Sequence, residues 1–266
     1  MTPQTLLDHL DQGRLWSAPL TAQDSFDLEA GYAKALDVRR LRIARGEQPR
    51  GYKVGFTNRT IWPRYNVFAP IWGTVWDTTL THADDEGQLS LARACQPRLE
   101  PETVFGLKAT PKPGATLDDI FDAIDWIAPG FEVVQSHLAD WKFLPADTVA
   151  DGGLHARLLV GRRVPILELA SDAPALNTLL SHAEVTLYKN GQAVESGRGS
   201  NVLDSPLNAL KHFIETLRDC PGAPDVQPGD VVTTGTWTDA WPVQPGEQWS
   251  AHFSLPLPSL AVRFTD

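Results

Sequence analysis

The stretch CQPRLEPETVF, residues 95–105, sets Glu100 and Glu102 one residue apart inside an extended, partly apolar run. Residues i and i+2 of a strand share a face, so the two carboxylates aim at one spot while Pro101 points away and signals an edge or a bulge. Like charges held close together either raise one pKa or take a cation between them. A hard divalent ion, Mg²⁺ or Mn²⁺, resolves the repulsion, because it prefers oxygen ligands and keeps waters that a substrate can displace. Two solvated glutamates on an exposed strand are the plainer reading, and other residues have to decide.

Three further residues bear on that choice. Glu132, in IAPGFEVVQSH, is expected after a helix and a Pro-Gly turn, at the start of an apolar strand, where it is either on the solvent face or a ligand. Lys53, in GYKVGFTN, sits at an apolar strand start between Gly51 and Gly55, where backbones can approach closely and a buried ammonium needs an anionic neighbour. A lysine reaching out to water fits that segment equally well. Asp77 ends the aromatic strand of WGTVWDTTL, with a turn or helix cap as its alternative role.

These residues need a scaffold, and the chain punctuates one clearly. Thr2-Pro3 opens a short helix with Leu6, Leu7 and Leu10 on one face and a stop near Gly13. A longer helix follows in DSFDLEAGYAKALDVRRLRIARG, with Leu28, Tyr32, Leu36 and Ile43 on one stripe and Gly46 as its stop. Beyond GYKVGF the texture changes to short apolar runs that read as strands, and Asn190-Gly191 marks a two-residue hairpin. Two helices interrupt them: one capped by Thr116 with Leu117, Ile120, Phe121, Ile124 and Ile127 on its inner face, and one capped by Ser205 with Leu207, Leu210, Phe213, Ile214 and Leu217 inward. The expected architecture is an N-terminal helical portion, residues 1–60, joined to a β-rich α+β catalytic domain, residues 61–266.

Composition narrows the partners. The 266 residues carry a formal charge of −10, which disfavours nucleic acid, so an anionic ligand must meet a local cation or metal. No apolar run is long enough to span a membrane and no signal peptide precedes the first helix, so a cytoplasmic location without membrane association is expected. Cys95 and Cys220 lie far apart and suggest neither a disulfide framework nor a thiolate metal site. GRGSN, residues 197–201, lacks phosphate-loop spacing, and neither GxGxxG after a strand nor GxSxG occurs.

Taken in order, GYKVGFT, WGTVWD, PRLEPETVF, APGFEVVQSH, DTVAD, VLDSPLNAL and PGDVVTTGTWTDAWPVQPGE resemble the 2-keto-4-pentenoate hydratase family of the fumarylacetoacetate hydrolase superfamily. The resemblance implies a mixed β-sandwich roll and a divalent metal, Mg²⁺ or Mn²⁺, held by Glu100, Glu102 and Glu132. It also implies a catalytic Lys53 with Asp77 close by, and Asp151 and Thr238 on the substrate side, where His155 is a further candidate of this chain's own. The implied activity is a hydro-lyase that adds water to a 2-hydroxy-2,4-dienoate in the catabolism of aromatic compounds, working on a small 2-oxo or 2-hydroxy acid as a homo-oligomer. Two alternatives go with it: a decarboxylase of a 2-oxo-hexenedioate, for which Arg59 or Arg157 would bind the second carboxylate, and a non-catalytic binding or partner subunit. No histidine stands near FTNRTIWPRYN to form the dyad of the hydrolase branch, which argues against C–C hydrolysis.

The chain departs from the family pattern at ADGGLHARLLVG, where Gly152 replaces an asparagine and Leu154-His155 a hydroxyl-rich stretch. Loss of that amide is expected to widen the pocket, with His155 compensating or lying in a surface loop. Trp237 and Trp241 either narrow the pocket or simply pack.

Overall fold

The computed structural model of the protein describes residues 1–23, 25–65 and 69–266. The first helix is Pro3–Gln12, with the Thr2 hydroxyl accepting from Thr5 N and Gly13 closing it at φ 57°. The second, Leu28–Ala44, starts at Asp27, whose carboxylate accepts from Ala30 N. Its expected stripe is only partly buried: Leu36 is inside, but Leu28 and Ile43 are 41% and 42% exposed. Residues 1–60 are not helical throughout, because the strand Pro49–Gly55 within them belongs to the large sheet.

That sheet runs in the order Ile71–Trp76, Pro49–Gly55, Val231–Thr233, Arg98–Leu107, Ile124–Val134, His155–Val160, Leu80–His82. A second sheet runs Gln192–Arg198, Glu184–Lys189, Gln248–Phe253, Leu260–Thr265, Glu86–Ser90. Its first two strands form the hairpin expected at Asn190-Gly191, with φ values of 49° and 80° at the turn. Strands of both directions and several helices make the chain α+β.

The main core joins Leu99, Phe105, Phe131 and Val133 of the large sheet to Leu187, Trp249 and Val262 of the second, and to the inner face of the helix Pro206–Asp219. Ser205 caps that helix as expected, and Leu207, Leu210, Phe213, Ile214 and Leu217 are buried. Each such side chain stabilises the fold by roughly 1.5–3 kcal/mol on leaving water. Because side chains alternate along a strand, a core on the odd-numbered face of Arg98–Leu107 leaves Glu100 and Glu102 on the other.

Three local expectations are corrected. The Thr116-capped helix stops at Ala123, and Ile124 and Ile127 belong to the strand Ile124–Val134, where pairing with the Glu100 strand overrides the helical periodicity. Pro129-Gly130 is therefore no turn but lies inside that strand. Nor does Pro101 mark an edge: its strand has neighbours on both sides, and the Pro101 carbonyl accepts from Trp237 N, so its missing N–H falls in the gap between the pairings of Val231–Thr233 and Trp241–Pro242.

Candidate metal centre

The register of the two central strands brings the glutamates together. Glu100 stands opposite Glu132 and Glu102 opposite Gly130, so three carboxylates meet on one patch of the sheet. One oxygen from each lies within 4.8 Å of the other two. Glu102 and Glu132 are fully buried and Glu100 is partly exposed. Lys53 enters from the strand Pro49–Gly55 and is 2% exposed, with Nζ 3.1 Å from Glu132 Oε2. The close approach that places it needs Gly51, at φ 138°, because a Cβ there would lie 1.9 Å from Val231 O.

Each glutamate is oriented by something else. Glu102 Oε2 accepts from Gly235 N at 2.7 Å, and Gly235 holds φ 103° where a Cβ would meet Thr57 Oγ1 at 1.8 Å. Glu132 Oε1 receives His155 Nδ1 at 2.8 Å, and His155 Nε2 is 2.8 Å from Thr79 Oγ1, so the ring is held at both nitrogens. Ligand side chains held this way by groups behind them keep their aim at a metal.

Electrostatics tests whether a cation fits. Burial, together with the charge of Glu132, pushes Glu100 up to about 7. Burial and the neighbouring carboxylates of Glu132 and Glu100 push Glu102 well above the usual range. Burial alone would raise Glu132 too, but Lys53 and His155 hold it below its ordinary value. Lys53, which burial alone would lower, is held above its ordinary value by Glu132, Glu100 and Glu102. One ammonium thus faces three carboxylates, and Glu102 Oε1 is buried with no hydrogen-bond partner among the described residues. All-oxygen donors, uncompensated negative charge and an orphaned carboxylate oxygen are what a hard divalent cation would satisfy.

A cavity opens onto this cluster, and its polar lining is Lys53, Gly55, Thr57, Asn58, Glu100 and Thr236. Its other walls are Phe56, Val134, Trp141, Gly153, Leu154 and Ala240.

The remaining expected site residues lie elsewhere. Asp77 does not meet Lys53: Lys53 pairs with Gly73, four residues away along the strand, or about 13 Å. Asp77 is instead exposed and accepts from Gln48 N at 3.0 Å, closing the strand end as a cap. Asp151 turns away to His137, accepting from its N–H at 3.0 Å and lying 2.6 Å from its Nδ1. Thr238 donates to Asp239 O and lines a separate polar cavity, while Thr236 reaches the one beside Glu100. His155 is buried behind Glu132 rather than in a surface loop.

The substitution at Gly152 does not widen this cavity either, because Gly152 is exposed and borders a different one, beside Trp72 and Asp151. Trp237 packs edge-on to Phe253 and Trp241 packs against Trp249, so neither narrows the pocket. Arg59 bonds Asp204, and Arg157 bonds the Ala156 and Ala92 carbonyls, away from the cavity. The stretch searched for a dyad histidine runs to Asn66, outside the described residues. Residues not singled out from sequence include Thr57, Asn58, Thr79, Gly235 and Thr236, which lie within the quoted GFTN, WGTVWDTTL and TTGT segments.

Residues 68–263 match the model of the fumarylacetoacetate (FAA) hydrolase C-terminal family. The chain is 33% identical over 234 residues to a 2-hydroxyhexa-2,4-dienoate hydratase from Comamonas testosteroni, covering 87% of this chain and 85% of that protein. It is 28% identical over 264 residues to a 4-oxalocrotonate decarboxylase from Pseudomonas putida, covering 97% and 95%. Among solved structures, 4-oxalocrotonate decarboxylase from Pseudomonas putida G7, complexed with magnesium and adipate, superposes with a TM-score of 0.86 at 26% identity, covering 98% of this chain and 95% of that one. A family match over most of the chain and a relative of this identity and coverage place it: the chain belongs to the fumarylacetoacetate hydrolase family.

Proposed function

We propose that the protein is a divalent-metal-dependent hydratase that adds water to a 2-hydroxy-2,4-dienoate, giving a 4-hydroxy-2-oxo acid. The observation that carries this reading is the convergence of Glu100, Glu102 and Glu132 beside a buried Lys53, where a cavity with an apolar wall reaches them. Glu100, Glu102 and Glu132 would hold Mg²⁺ or Mn²⁺, which supplies Lewis-acid charge for the substrate's carboxylate and 2-oxygen.

The chain's own residues do the rest. Lys53 Nζ lines the cavity and carries a transferable proton, held there by Glu132 at 3.1 Å. It serves the proton movement that turns the dienol into an α,β-unsaturated ketone, the form to which water adds. Thr236 lines the same cavity and its hydroxyl orients the acid or the incoming water, while Thr57 Oγ1 is engaged with Thr234 O and the Asn58 amide with Thr60 and Thr238. His155 keeps Glu132 aimed and takes no direct part.

A second reading, loss of CO₂ from a 2-oxo-hexenedioate, is supported by the whole-chain likeness to 4-oxalocrotonate decarboxylase. The two separate in one assay: purified protein with Mg²⁺ or Mn²⁺, given each substrate, followed for loss of dienol absorbance, 4-hydroxy-2-oxo acid and CO₂. The hydratase reading expects the hydroxy acid without CO₂, abolished by EDTA and restored by metal. Release of CO₂ as the main reaction, or no metal-dependent turnover, overturns it.

A further inference from the structure

Resting on the reading of this cavity as the place where a metal-bound acid reacts, we propose that its clustered apolar wall selects a hydrocarbon tail. The ligand class is then a 2-oxo or 2-hydroxy monocarboxylic acid with an alkyl group, not a second carboxylate, remote from the metal. Val134, Leu154 and Ala240 are 3%, 4% and 7% exposed and form, with Phe56, Trp141 and Phe143, a small apolar cluster separate from the main core. Five of these six residues line the cavity that holds Lys53 and Glu100. The aromatic members brace one another, Phe143 lying 6.2 Å from Phe56 and 6.1 Å from Trp141, and Trp141 Nε1 donates to Gln96 O.

Leu154 adds an independent sign. It holds φ 66°, a left-handed conformation that a leucine adopts only at a cost, yet its side chain is buried in this cluster. A strained residue kept where it completes an apolar wall points to a demand on that wall's shape.

Charge points the same way. Among the described residues lining the cavity the positive side chain is Lys53, which is engaged with Glu132. The Arg98 guanidinium lies over the Trp141 ring, 4.2 Å from its centre, and does not line the cavity. A carboxylate against the apolar wall would lose its water and meet no cation among the described lining residues other than Lys53, whereas a methyl or ethyl group loses nothing.

The test compares two non-reacting acids of equal length, 2-oxohexanoate and 2-oxoadipate, which differ in carrying CH₃ or CO₂⁻ at the far end. Calorimetry on the Mg²⁺-loaded protein is expected to show 2-oxohexanoate binding at least tenfold more tightly. Val134→Ala should weaken 2-oxohexanoate about 3- to 10-fold and leave 2-oxoadipate unchanged, and Ala240→Arg should narrow or reverse the preference. Equal or tighter binding of 2-oxoadipate overturns the proposal, most pointedly if Arg98→Ala then weakens it. Failure of both acids to bind at millimolar concentration overturns it too. A monoacid preference in a protein that hydrates no dienoate would leave this inference standing and refute the hydratase reading instead.

Discussion

Two buried histidines in this molecule each meet a carboxylate through Nδ1, His155 with Glu132 at 2.8 Å and His137 with Asp151 at 2.6 Å, and they end in opposite states. For His137 burial works against the charge, but Asp151 outweighs it and the pKa rises to about 10. For His155 burial prevails: Glu132 favours the charge, but Lys53 and Arg42 oppose it, and the pKa falls below the ordinary value. Glu132 divides its charge between Lys53 and His155, whereas Asp151 is His137's dominant partner. A residue pair therefore does not carry its role with it. The first pair is a neutral imidazole steadying a ligand, and the second is an ion pair whose histidine, with Trp16 stacked on it at 6.1 Å and Trp16 N donating to its carbonyl, anchors the N-terminal portion.

The sharpest way to break this contrast is to remove a ligand charge. Glu102→Gln and Glu100→Gln should each lower metal-dependent turnover on the order of 10³-fold, since the shape is kept and an anionic donor is lost. Their metal-free melting temperatures should stay level or rise, because a buried repulsion is relieved. Full activity in both variants would remove the metal from the account. Lys53→Met comes next, with kcat down about 10²–10⁴-fold and metal affinity nearly unchanged. If affinity and rate fell together, Lys53 would be an architectural residue.

The histidines themselves follow. His155→Ala should weaken the metal about 10- to 100-fold, measured by Mg²⁺ activation curves. His137→Ala should leave that curve alone and cost about 1–3 kcal/mol of stability, because Asp151 loses its charged partner and keeps the residue-137 backbone N–H. Its folded pKa lies above its unfolded one, so the pair's stabilisation is complete below the ordinary 6.5 and is lost as pH rises through about 10. Chemical denaturation across that range should show the decline in the wild type and not in His137→Ala.

The smallest expected effect concerns pH and the metal. Glu100 is raised from 4.5 to about 7, so in the metal-free protein its contribution to stability is present below 4.5 and lost as pH rises through 7. A cation needs the ionised form, so metal affinity should improve about tenfold between pH 6 and pH 8. A flat affinity over that interval would mean that Glu100 is not a ligand.

How much of this was legible depended on how far apart in the chain the partners lie. Glu100 and Glu102 could be read as a pair because strand periodicity is local, and the Ser205 and Asn190-Gly191 signals carried their elements for the same reason. Glu132 stands opposite Glu100 only through the register of two long strands, which a single sequence does not print. Asp77 shows the same limit: the resemblance implies it close to Lys53, while the strand carries it about 13 Å past Lys53. The apolar wall of the cavity comes from separate segments around Phe56, Val134, Trp141, Leu154 and Ala240, none with a local signature. His155 looked like a loop residue beside glycines, and only the placement of its strand next to Glu132 gives it a partner.

The central claim is that three glutamates share one cation, and crystals grown with Mn²⁺ test it most directly through anomalous scattering at the manganese edge. The account predicts one strong peak per chain within about 2.5 Å of carboxylate oxygens from Glu100, Glu102 and Glu132 together. A saturating Mn²⁺ concentration that leaves this position without a peak, or places it on other residues, would contradict the account.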